Sequence, residues 1–81
     1  MPEPKRDLGE QPLARLLDDA GLGAPQLVDA STDGLTHKQV QRARKGRRLT
    51  ANVMGKVERA VSTALGREVA RTELFDYDPL P

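Results

Sequence analysis

The sequence predicts an all-α fold, a bundle of four to five short helices. Apolar residues, mostly Leu, Val and Ala, recur at intervals of three and four, which is the spacing of a helix face packed on a core. The alternation of β-branched and aromatic residues that is typical of strands is absent. The only aromatic residues are Phe75 and Tyr77, so the core has to be built from small aliphatic side chains, which suits closely packed helices.

Length and composition allow one domain in a chain of 81 residues. The chain has no Cys, which excludes disulfides and thiolate metal sites and fits a reducing compartment, so we expect a cytoplasmic protein. No apolar run reaches the length of a membrane span, and the first residues lack the apolar segment of a secretory signal. We expect residues 1–10 to form a disordered arm, residues 11–66 a helical domain, and residues 67–81 a tail that packs on the core.

The first two helices are predicted from residue 12 to 20 and from residue 24 to 30 or 31. Pro12 suits a first helical turn, where a missing N–H costs nothing, and Gly21 is a natural stop. Leu13, Leu16 and Leu17 fall on one face of the first helix. The sequence Asp33-Gly34 after the second helix is a strong turn signal.

The third helix is predicted over residues 36–46, and its start has two independent markers. Thr36 is a good N-cap, and Gln39 stands three residues later, where its side chain completes a capping box. Leu35 and Val40 have the spacing of a hydrophobic staple around that cap. Gly46 stands where a left-handed residue closes a helix.

The fourth helix is predicted to follow Thr50, a second N-cap, and to end at Gly66. An apolar stripe at intervals of three and four supports it, consisting of Val53, Val57, Ala60, Val61, Ala64 and Leu65. In the tail, Thr72 is predicted to cap one further turn through Leu74. The apolar residues Leu74, Phe75 and Tyr77 are predicted to fold back on the core, with an exposed dimerisation patch as the alternative.

Charge is strongly segregated along the chain. Residues 36–48 hold six of the thirteen Lys and Arg residues and no acid, while the rest of the chain carries seven bases against twelve acids. A nearly neutral protein thus consists of a +6 segment, of the size of one helix, on a body of −5. Such a segregated positive charge indicates a polyanionic partner.

The arrangement resembles the Cro-type and lambda-repressor-type helix-turn-helix family, also called Xre-like, over roughly residues 12 to 66. The resemblance rests on residues 24–28 as second helix, residues 36–46 as recognition helix, the closing pair Gly46-Arg47, and residues 53–65 as the helix behind. It implies a transcription regulator of bacterial or phage type that binds double-stranded DNA, with a homodimer on two half-sites. It also implies that Thr36, His37, Lys38, Gln41 and Arg42 reach the major groove and that Gln26, Lys45, Arg47 and Arg48 hold the backbone. Arg44 is expected to join them by its charge, as a phosphate contact.

Other functions are weaker predictions. A protein-interaction module, such as an antitoxin or a phage-type adaptor, would use Leu74, Phe75 and Tyr77 as an exposed patch. RNA is less expected than DNA because no aromatic residue lies near the basic segment to stack on bases. We expect no enzyme, metal or cofactor, because His37 is the single His and neither Ser31 nor Ser62 has an obvious base.

Overall fold

The computed structural model describes residues 11–80 of the chain, which contain four α-helices and one turn of 3₁₀ helix. The α-helices are α1 (Pro12–Ala20), α2 (Ala24–Ala30), α3 (His37–Arg44) and α4 (Ala51–Leu65), and the 3₁₀ turn is Arg71–Glu73. The only β bridge between two residues of the range 11–80 is an isolated parallel one, which joins Thr50 and Leu80. The all-α prediction is therefore confirmed. The arm predicted for residues 1–10, with the basic pair Lys5-Arg6, lies outside the described residues.

The core is mostly aliphatic: α4 packs against α2, and α3 packs against both α1 and α2. Every helix and the tail contribute to it. The fully buried apolar side chains are Leu13, Leu17, Leu27, Val40, Ala43, Met54, Val57, Ala60, Val61 and Leu74. Because α3 contributes only Val40 and Ala43, most of its surface is left for a partner.

The connection between α2 and α3 is held by a hydrogen-bond network that reaches α4. The Ser31 hydroxyl accepts the Leu35 N–H at 3.1 Å and donates to Asp33 Oδ1 at 2.9 Å. Asp33 Oδ2 accepts from Arg59 Nε of α4 at 2.7 Å, and this guanidinium holds the pKa of the Asp33 carboxyl below its ordinary value by its hydrogen bond. The Arg59 side chain runs across Gly55, where an added Cβ would lie 3.2 Å from it. The position at which α3 begins is therefore tied to α4.

The tail packs on the core through Val69, Leu74 and Phe75, which are all buried. Its backbone is fixed to the start of the domain, because the Leu13 N–H donates to the Leu74 carbonyl at 2.9 Å. Gln11, itself buried, accepts the Asp76 N–H at 2.9 Å through its side-chain oxygen. Leu74 and Phe75 thus lie inside the fold, while Tyr77 is partly buried.

The predicted cap of the tail turn is wrong. The turn begins after Ala70, two residues before Thr72, and no side chain of its N-cap residue closes it. Instead the Glu73 carboxylate reaches back and accepts the Ala70 N–H at 2.8 Å, which lowers the pKa of Glu73. A carboxylate at the third position competes well for this backbone donor because its hydrogen bond is charge-assisted.

Candidate nucleic-acid interface

Helix α3 is capped by its own residues at both ends. The Thr36 hydroxyl accepts the Gln39 N–H and the Gln39 side-chain oxygen accepts the Thr36 N–H, each at 3.1 Å, which confirms the predicted capping box. Gly46 has φ 79°, and the Arg47 N–H donates back to the Arg42 carbonyl at 3.0 Å. The helix proper ends at Arg44, two residues before the predicted end. Caps of this kind typically stabilise a helix by about 1 kcal/mol, so α3 is a rigid platform.

The outer face of α3 presents four exposed side chains in two rows. His37 lies one turn before Gln41, and Lys38 lies one turn before Arg42, because residues four apart lie above one another on a helix. Lys45, Arg47 and Arg48 follow in the segment after the helix and are also exposed. The structure therefore places four of the predicted groove residues on one helix face, and three of the predicted backbone contacts in the segment that directly follows the helix.

Arg44 lies apart from that face. It is partly buried and its guanidinium donates to Asp18 of α1 at 2.9 Å. An exposed ion pair of this type contributes roughly 0–1 kcal/mol, so Asp18 competes only weakly with a phosphate for Arg44.

Two predicted contact residues use their oxygens in helix caps. Thr36 Oγ1 is occupied by the Gln39 N–H, and Gln26 Oε1 accepts the Gly23 N–H at 2.8 Å at the start of α2. Both residues are exposed. The hydroxyl hydrogen of Thr36 and the amide hydrogens of Gln26 have no partner among residues 11–80, so both side chains can still donate to an anion.

The segment after α3 is joined to the tail by Tyr77. Its hydroxyl donates to the Arg47 carbonyl at 2.9 Å and accepts the Leu49 N–H at 3.2 Å. Nearby, Arg48 Nε donates to the Asp78 carbonyl at 3.2 Å. Sequence reasoning treated Tyr77 only as an apolar residue and missed this position. The available signal was the hydroxyl itself, since a partly buried Tyr usually hydrogen-bonds through it.

Burial raises the pKa of Tyr77 above its ordinary value of 10.0, against the opposing effect of the Leu49 N–H. The folded protein thus favours the neutral phenol. This contribution to stability is fully present below pH 10.0 and is lost as the pH rises through the higher pKa of the folded state. We expect the free energy of unfolding, measured by urea titration from pH 8 to 11.5, to fall more steeply for the wild type than for Tyr77→Phe. Parallel curves for the two proteins would contradict this.

Other kinds of site find little support in the described residues. Within residues 11–80 no group of three His, Asp or Glu side chains is arranged to hold a metal ion. In the same range the longest helix, α4, has 15 residues, and no helix is both long and apolar enough to cross a membrane. A surface cleft between α1 and the end of α4 is lined by Arg15, Asp19, Arg67 and Asp76 among others, and the opposite charges of these residues balance.

Comparisons of the chain with protein-family models, curated proteins and solved structures gave no match.

Proposed function

We propose that this protein is a cytoplasmic DNA-binding transcription regulator in which α2 and α3 act as a helix-turn-helix of the Xre-like type. The observation that carries the proposal is a group of exposed cations on and directly after α3 that no carboxylate of residues 11–80 neutralises. Outside residues 36–48, three of the five described cations are paired with carboxylates, namely Arg59, Arg67 and Arg71. In contrast, Lys38, Arg42 and Lys45 are exposed and have no carboxylate partner among residues 11–80. Unneutralised cations concentrated on one surface favour a polyanion.

In this proposal α3 lies in the major groove. Arg42 is the best candidate for a bidentate contact to guanine O6 and N7, and Lys38 is the second. Gln41 suits adenine or a phosphate, and His37 adds a further polar group to the same face. The rigid capping of α3 supports this role, because a preformed helix loses little conformational entropy when it binds.

Phosphates are proposed to bind around the edges of that face. Lys45, Arg47 and Arg48 would contact one strand, while Gln26 and Thr36 would donate their remaining hydrogens. Arg44 would contribute after release from Asp18. Since one domain of this size offers few contacts, two copies on half-sites about 34 Å apart are expected.

The alternative, a protein-interaction module that uses Leu74, Phe75 and Tyr77, loses its surface in this fold. Leu74 and Phe75 are buried, with exposed fractions of 0% and 3%. Tyr77 is only partly exposed, and Leu80 is the one exposed large apolar side chain among residues 11–80, so little of the predicted patch is open to a protein partner.

An NMR titration of the labelled protein with a mixed-sequence DNA duplex tests the proposal. At low salt we expect shifts concentrated in residues 36–48 and in Gln26. At physiological salt the same shifts should need more DNA, because each phosphate contact steepens the dependence of log K on log salt by about 0.9. An absence of shifts at low salt, or shifts spread evenly over α1 and α4, would contradict the proposal.

A further inference from the structure

We infer that Tyr77 is a positioning residue of the proposed DNA interface: its hydroxyl bridges the backbone of Arg47 and Leu49 and so fixes the basic segment that follows α3. The inference rests on the proposed function and adds to it a residue far outside the recognition helix. In this inference the tail contributes to DNA binding because it positions the residues that are proposed to contact phosphates.

The bridge connects two backbone groups on one edge of an extended segment. The hydroxyl donates to the Arg47 carbonyl at 2.9 Å and accepts the Leu49 N–H at 3.2 Å. A neighbouring β-strand would pair with the same carbonyl and N–H groups. The Tyr77 hydroxyl therefore makes the hydrogen bonds that such a strand would make at this point. Leu80 continues the pairing, because its N–H donates to the Leu49 carbonyl at 2.8 Å. Arg47 to Leu49 is thereby held along the tail.

Arg48 is oriented by the same arrangement. Its Nε donates to the Asp78 carbonyl at 3.2 Å, and the side chain is exposed. A guanidinium has five N–H donors, so the four hydrogens on its two terminal nitrogens remain for an acceptor outside the protein. Those two nitrogens together can bind a phosphate end-on in a bidentate manner. The tail therefore uses only Nε of Arg48 and leaves both terminal nitrogens for a phosphate.

Tyr77 is itself held by the core. Its ring meets the Phe75 ring edge-on, with centroids 5.7 Å apart and an angle of 68° between the planes. Phe75 is 3% exposed and its neighbour Leu74 is fully buried. The position of the hydroxyl is thus set by buried side chains, and through its hydrogen bonds residues 47–49 are held in place as well. A preorganised contact loses less side-chain entropy on binding than a mobile one.

The test is a double-mutant cycle on DNA binding with Tyr77→Phe and Arg48→Ala, measured by fluorescence anisotropy across a range of salt concentrations. Tyr77→Phe keeps the ring and removes the hydroxyl. We expect it to lower affinity roughly three- to tenfold for all sequences alike, because the Arg48 side chain then has to be ordered when it binds a phosphate. The salt slope should fall by up to about 0.9, as for one lost phosphate contact. Arg48→Ala should lower the DNA affinity less in the Tyr77→Phe background than in the wild type, because the Arg48 side chain has already lost its orientation there.

Arg71→Ala is the matched control, since it breaks the ion pair with Glu58 at 2.8 Å and leaves the segment and its bridge untouched. All variants are compared where circular dichroism shows them folded. A merely stabilising Tyr77 would leave the salt slope of folded protein unchanged and the two substitutions additive, and that result overturns the inference alone. Failure of the wild type to bind DNA at low salt overturns the proposed function and the inference with it.

Discussion

Arg42→Ala should abolish most of the sequence preference of the protein while leaving its fold intact. Arg42 is exposed on α3, and its backbone carbonyl, which accepts the Arg47 N–H, is unaffected by the substitution. Ala is the best helix former, so α3 should persist. A bidentate contact to guanine gives about 1–3 kcal/mol of discrimination against a wrong base pair. Affinities for duplexes that differ by single base pairs, measured at one salt concentration, should become nearly equal.

Arg42→Lys separates charge from geometry at this position, and Arg15→Ala is the control for the loss of a cation elsewhere. Arg42→Lys keeps the charge but loses the planar fork, so it should retain general affinity and lose preference. Arg15→Ala removes an exposed cation from α1, outside the proposed interface, and should leave the order of preferred duplexes as it is in the wild type. An unchanged preference in Arg42→Ala would show that the recognition helix has been assigned wrongly.

The features that could be predicted from the sequence are those fixed by neighbouring residues. The capping box of Thr36 and Gln39, the left-handed Gly46 and the start of α1 at Pro12 each depend on residues within one turn. Such local hydrogen bonds and backbone restrictions have a sequence signature, because the partners stand at fixed offsets. The exposed rows of α3 follow in the same way, since the period of the helix determines which side chains share a face.

Contacts between distant segments could not be predicted. Arg44 pairs with Asp18 and Arg59 pairs with Asp33, and in each case 26 positions separate the partners. Tyr77 and Arg47 are 30 positions apart. A charged or hydroxyl-bearing residue has many equally suitable partners in the sequence, and only the packing of helices selects one. The misplaced cap at Thr72 has a related cause, because both Thr72 and Glu73 are able to satisfy a nearby N–H.

Leu74→Ala should destabilise the whole domain, although Leu74 lies near the end of the chain. Its side chain is fully buried and its carbonyl accepts the Leu13 N–H at 2.9 Å. Truncation of a buried Leu to Ala costs about 2–5 kcal/mol through lost burial and the remaining cavity. Small domains have total stabilities of only about 5–15 kcal/mol, so much of the free energy of unfolding should be lost. Urea denaturation followed by circular dichroism measures it.

Leu80→Ala is the matched control for this effect. It removes the same atoms from a side chain that is 41% exposed, and it keeps the backbone hydrogen bond from Leu80 to Leu49. We expect a loss below about 1 kcal/mol, as for most surface substitutions. An equally small loss in Leu74→Ala would mean that the tail unfolds separately from the helices. In that case Tyr77 would hold residues 47–49 only weakly. The stability of Leu74→Ala tests whether the tail is fixed to the core, and the DNA affinity of Tyr77→Phe tests whether the tail in turn fixes residues 47–49.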